Sequence, residues 1–148
     1  MGELGTVGSD IGGSTAYMVT GYTAINEYAG QYKGMVKTVD LRVRTAGTFK
    51  IKIFHYVAPN LVFIAETSHY FDAGLQLGIP ITLPIEKDYL IGNYSADGTT
   101  YCSDGGTGSL HRKLGDIVTT TPLSEWGLYI NNLNIVGHIF GRDFGCVV

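Results

Sequence analysis

Charge is scarce in this chain of 148 residues: only 16% are Asp, Glu, Lys or Arg, against about a quarter in ordinary soluble domains. A surface so short of charge has little electrostatic protection against association, so part of it is expected to be covered by copies of the chain or by a partner. Basic side chains number 10 against 13 acidic ones, and apart from His111-Arg112-Lys113 they are scattered. That distribution offers no basic face to a phosphate backbone and excludes nucleic acid as a direct ligand. No apolar run approaches the roughly 20 residues that span a bilayer, and the opening Met1-Gly2-Glu3-Leu4 has neither the basic nor the apolar region of a secretory signal. Membrane insertion is therefore not expected. There are two cysteines, Cys102 and Cys146, so one internal disulfide is the maximum. A bridge and two thiols, with Cys102 buried in a strand, both remain open. Helical periodicity never lasts beyond about a turn, which removes the crossover helices that a parallel α/β fold needs.

What is present is β structure turned by glycine. Hydrophobic residues make up 45% of the chain, with 21 Gly and 10 Tyr. Residues 1–15 hold five glycines and few large apolar side chains, and read as an N-terminal arm that is flexible or ordered by a neighbour. Residues 16–148 read as one β-sandwich domain. Val39, Leu41 and Val43 alternate with Asp40, Arg42 and Arg44; Phe49, Ile51 and Ile53 alternate with Lys50 and Lys52. Each stretch predicts one buried and one wet face, and Ala46-Gly47 predicts a hairpin turn between them. Leu61 to Phe71 is apolar on both parities early on, as a strand covered on both sides would be. Leu75, Leu77, Ile79, Ile81, Leu83 and Ile85 form the longest alternation. Pro80 and Pro84 lack a backbone N–H and predict that this strand lies on an edge or is broken by a bulge. Eight or nine such strands predict an all-β, antiparallel two-sheet sandwich.

Motifs that carry chemistry are missing. Gly105-Gly106-Thr107-Gly108 leads into no helix, so it reads as a turn and not a phosphate cradle. His55, His69, His111 and His138 form no ligand or nucleophile-base signature, and no serine sits in a G-x-S-x-G elbow. No enzyme is expected. The only cofactor the loops could host is Ca²⁺, on Asp97, Asp104 and nearby carbonyls; the commoner role of such residues is to make turns. Tyr17, Tyr22, Tyr28, Tyr32, Tyr94 and Tyr101 are candidate binding residues, since a phenol offers an apolar face and a polar tip to sugars or proteins. Tyrosine is also a favoured strand residue. At the other end Phe144, Val147 and Val148 make an apolar tail suited to a last half-strand or to augmenting a neighbouring subunit.

Across Gly34 to Ser103 the chain resembles jelly-roll modules of phage virion structural proteins and bacterial surface proteins. The carriers are Val39-Asp40-Leu41-Arg42-Val43, Gly47-Thr48-Phe49-Lys50-Ile51-Lys52-Ile53-Phe54, Ala73-Gly74-Leu75 and Lys87-Asp88-Tyr89-Leu90-Ile91-Gly92-Asn93-Tyr94. The glycine that such modules carry between the Lys87 and Asp88 positions is absent here. The resemblance implies a jelly-roll-like sandwich in a virion component, such as a capsid decoration, head-fibre or tail-fibre protein. It would act as a homo-oligomer, for instance a trimer, with other virion proteins and surface glycans as partners. The alternative expectation is a carbohydrate-binding module of a larger secreted or surface protein, placed outside the cell.

Overall fold

The computed structural model describes residues 2–9, 16–18, 20–103, 109–129 and 132–141. Its strands are β1 (Glu3–Ser9), β2 (Ala16–Tyr17), β3 (Tyr22–Asn26), β4 (Gly34–Thr45), β5 (Gly47–Val57), β6 (Asn60–Phe71) and β7 (Gly74–Ile85). There follow β8 (Tyr89–Ser95), β9 (Thr99–Ser103), β10 (Leu110–Leu114), β11 (Thr121–Pro122), β12 (Gly127–Tyr129), β13 (Asn132–Leu133) and β14 (Ile135–Phe140). A 3-10 turn at Leu123–Glu125 is the one helical element among the described residues.

The pairings are nested. β5 pairs with β6, β4 with β7, β3 with β8, and β2 with β9, all antiparallel. β4 also joins β9, and β5 joins β8. A long hairpin rolled up in this way gives two four-stranded layers, β2-β9-β4-β7 and β3-β8-β5-β6, which is the order of a jelly roll. The first layer is widened by β14, β1 and β13, and the second by β10, β12 and β11. Alternate residues of facing strands fill the space between the layers, among them Val36, Val39, Leu41 and Val43 from β4 and Phe49, Ile51 and Ile53 from β5. The fold is thus the expected two-sheet sandwich.

Four local expectations are corrected. Ala46-Gly47 does not close a hairpin, because β4 and β5 lie in different sheets. Period-two alternation reports only that each strand has one buried face; two strands can share a core by facing one another as well as by pairing. The turn at Ala96-Asp97-Gly98 also crosses between sheets, from β8 to β9, and the two corners touch. The Thr48 amide donates to Asp97 Oδ1 at 3.2 Å, Ser95 Oγ donates to the Thr48 carbonyl at 2.7 Å, and the Gly98 amide donates to Ser95 Oγ at 2.8 Å.

The second correction concerns β7. It is an edge strand with two register shifts against β4, in keeping with its prolines. One shift falls at Gly78, whose φ of 65° suits a bulge. A bulge reverses the parity of what precedes it, so Ile81, Leu83 and Ile85 are buried while Leu75 and Leu77 are exposed. Thirdly, residues 3–9 are not an arm: they form β1 along β14, with Val7 fully buried in the core. Glycine here permits close approach and does not signal a loop. A Cβ on Gly8 would lie 2.3 Å from the Ile135 carbonyl oxygen. Residues 10–15 lie outside the described part.

The fourth correction is Lys52, expected on a wet face and found fully buried. Residues 115–126 drape over the outer face of the second sheet and make a smaller apolar cluster of Ile25, Phe54, Leu61 and Trp126. Beneath this cover the Lys52 ammonium donates to Glu66 Oε1 at 2.6 Å, Asp116 Oδ1 at 2.6 Å and the Ile117 carbonyl at 2.9 Å. All three N–H donors are matched, as burial of a charge demands. Burial alone would raise the Asp116 carboxyl, but hydrogen bonds and charge from Lys50 and Lys52 outweigh it and hold the pKa below its ordinary value.

The touching corners leave no room for a methyl group. On Gly98 a Cβ would lie 2.5 Å from the Phe49 ring and 2.9 Å from the Thr45 carbonyl oxygen, whereas nothing lies within 4 Å of one on Gly2. Gly98→Ala is expected to lose about 1–3 kcal/mol of unfolding free energy in urea titration, as overpacking does, with Gly2→Ala unchanged.

Candidate functional site

The cover over the second sheet stops short of one end, and there the outer face opens into a groove of about 390 Å³. Ile25 of β3, Leu61 of β6, Leu90 of β8 and Leu123 of the 3-10 turn make an aliphatic floor. Its polar rim comes from Glu27, Asp88 and His111, with Tyr56 at the far end of β5. Each has a local reason for its place. The connection after β3 turns on Asn26, whose Oδ1 accepts from the Tyr28 amide at 2.8 Å while Nδ2 donates to the Leu133 carbonyl at 2.7 Å. This fixes Glu27 at the mouth. Asp88 takes a φ of 74° and so makes the tight turn without the missing glycine. Its amide donates to the Gly30 carbonyl at 2.8 Å, and the Gly30 amide donates to the Tyr89 carbonyl at 2.9 Å, clipping the two loops together.

Electrostatically the groove is one-sided. Glu27 and Asp88 are both exposed carboxylates, and no lysine or arginine lines the groove. Ser109 Oγ donates to Glu27 Oε2 at 2.6 Å; neither carboxylate has a basic partner among the described residues. Burial pushes the His111 pKa down, partly countered by the charge of Glu27, so the imidazole stays neutral around pH 7. Successive residues on β10 face opposite sides, so His111-Arg112-Lys113 is no basic patch. Arg112 turns from the groove to the rings of Tyr22 and Tyr129, at 4.6 and 4.0 Å from their centroids.

The six tyrosines singled out in the sequence do not form one platform. Tyr17 and Tyr101 are cross-strand partners on β2 and β9, with the Arg44 guanidinium 3.7 Å from the Tyr17 ring centre. Tyr22 belongs to the Arg112 stack. Tyr28 and Tyr32 stand on the connection before β4, where Tyr32 packs onto Gly5 of β1. Tyr94 lies on the outer face of β8, its ring centre 5.9 Å from Lys52 Nζ. The groove residues Glu27, Tyr56, Asp88 and His111 come from four separated segments and carry no sequence motif. The one local hint is the absence of the glycine expected between Lys87 and Asp88. Asp97 is a corner residue; Asp104, Cys146, Phe144, Val147 and Val148 lie outside the described residues, and Cys102 is buried.

A second titratable group lies on the outer face of the first sheet. His138 Nε2 meets Asp40 Oδ2 at 2.6 Å and Nδ1 meets Glu3 Oε1 at 3.0 Å, while Asp40 Oδ1 accepts from the Gly78 amide at 2.8 Å. The bulge in β7 thus supplies a donor to the carboxylate that holds the imidazole. With both ring nitrogens engaged by carboxylates, His138 is a clamp between β1, β14 and β4. No group of three or more His, Cys, Asp or Glu side chains among the described residues has the arrangement of a metal site. No helix is long and apolar enough to cross a membrane among those residues. No family model, curated protein or solved structure matches the chain.

Burial disfavours the His138 imidazolium, but its hydrogen bonds and charge interactions with Asp40 and Glu3 outweigh this and raise the pKa. The raised value means the clamp contributes stability in full below the unfolded pKa of about 6.5 and loses it as pH rises through the folded value. The melting temperature of the protein is expected to exceed that of His138→Gln most at pH below about 6.5, with the gap closing at higher pH. A gap that widens with pH would contradict the assignment.

Proposed function

We propose that this chain is a non-enzymatic structural protein of a virion, a jelly-roll module that assembles with copies of itself and with other virion proteins. The observation that carries this reading is the open edge of the second sheet. β12 is its terminal strand, and on the paired strands β12 and β10 stand Leu128 and Leu114, 61% and 68% exposed. A strand edge left unpaired among the described residues, with exposed leucines nearby, on a chain with 16% charged residues, is the kind of surface that association covers. The jelly-roll strand order, common in viral capsid proteins, supports the same reading.

A carbohydrate-binding module is the second reading. The paired Tyr17 and Tyr101 favour it, since they put two rings side by side on β2 and β9. The two readings differ in mass. Light scattering on the eluting protein is expected to give a whole-number multiple of 16.0 kDa above one, reduced by Leu114→Lys with Leu128→Lys. A monomer that binds glycans and loses them on Tyr17→Ala would replace the virion reading with the module.

A further inference from the structure

The groove combines an aliphatic floor, one tyrosine and two carboxylates, and lacks any lysine or arginine. That combination is selective. An anionic ligand is repelled, and a sugar ring would find leucines and an isoleucine where stacking needs aromatic faces. An alkylammonium matches each part: its methylenes cover Ile25, Leu61 and Leu90, while the cation stays at the wet rim near Glu27, Asp88 and the Tyr56 ring. The volume of about 390 Å³ is near the low end for ligand sites and suits a single long side chain.

We propose that the groove receives a lysine side chain from a protein other than this one, its stem on the aliphatic floor and its ammonium at the Glu27 and Asp88 rim. A second copy is disfavoured by charge: the net charge is −3, so two acidic surfaces would meet at the groove, although Lys33, Lys37 and Lys87 are exposed and stand outside the ion pairs that hold Lys50, Lys52 and Lys113. The inference rests on the reading above only in taking the lysine from a fellow structural protein. Alkylammonium binding itself stands apart from assembly.

The probe is hexylammonium, followed by amide NMR shifts on the intact protein, with N-hexylacetamide and glucose as neutral comparisons. Hexylammonium is expected to shift Ile25, Leu61, Leu90 and His111 specifically, to bind more weakly as salt rises, and to lose roughly three- to tenfold in affinity in Glu27→Gln with Asp88→Asn. Asparagine accepts the left-handed backbone at position 88, and the unchanged spectrum of the remaining core reports that the variant is folded. Equal shifts from N-hexylacetamide, preferred binding of glucose, or no shift with hexylammonium would each overturn the proposal. The oligomeric mass, measured on the same samples, tests the assembly reading separately: an oligomer with an inert groove sinks only the lysine site.

Discussion

The outer half of the molecule depends on the buried ammonium of Lys52. A charge is expensive to remove from water unless its partners are complete, and here Glu66, Asp116 and the Ile117 carbonyl complete them. Two of these partners belong to the segment after β10. That segment is therefore drawn across the face of the second sheet, where Thr23 Oγ1 accepts from the Ile117 amide at 3.1 Å and donates to the Gly115 carbonyl at 2.7 Å. Once it is there, Trp126 packs edge-on against Phe54 with ring centres 5.8 Å apart, and the amide of Leu123 donates to the Pro59 carbonyl at 2.9 Å. Leu123 is one wall of the groove. The polar tether thus decides where the apolar cover ends and hence where an opening is left.

How much of this was legible in the sequence varies with the range of the interaction. The alternation in β4 and β5 reports one buried face, the prolines of β7 an edge or a bulge, and the two-sided apolarity of early β6 cover on both sides, and apart from the buried Asp40 and Lys52 the structure matches each. What alternation does not encode is which strand lies opposite. Thus Ala46-Gly47 reads as a hairpin turn and is a corner between sheets. The Gly78 bulge is hidden for a related reason: Leu75 and Leu77 continue the pattern of Ile79 to Ile85, and the parity reverses at Gly78, whose amide donates to Asp40 Oδ1. Lys52 sits in a perfectly alternating stretch, and its burial follows from carboxylates 14 and 64 residues away. The groove is less legible still, since its rim is assembled from four segments and has no motif to carry it.

Function follows the same division. Low charge suggests association, and the edge at β12 with its exposed leucines is where the proposed function would place it. The tyrosines pointed to sugar, yet the structure distributes them over several faces, with Tyr22 and Tyr17 engaged by arginines. The groove on the covered face offers a different chemistry, one that suits a cation on an aliphatic stem. In the proposed reading the edge at β12 would join copies of the chain and the acidic groove would take a basic partner.

The central claim, that Lys52 holds the cover which shapes the groove, is tested most directly by amide hydrogen exchange on the protein and on Lys52→Met. The account predicts that exchange at Ile117 and Trp126 accelerates at least about tenfold in the variant, while Ile51 and Ile91 in the inter-sheet core keep their relative protection. Uniform acceleration across both clusters, or an unchanged Ile117 amide, would contradict it.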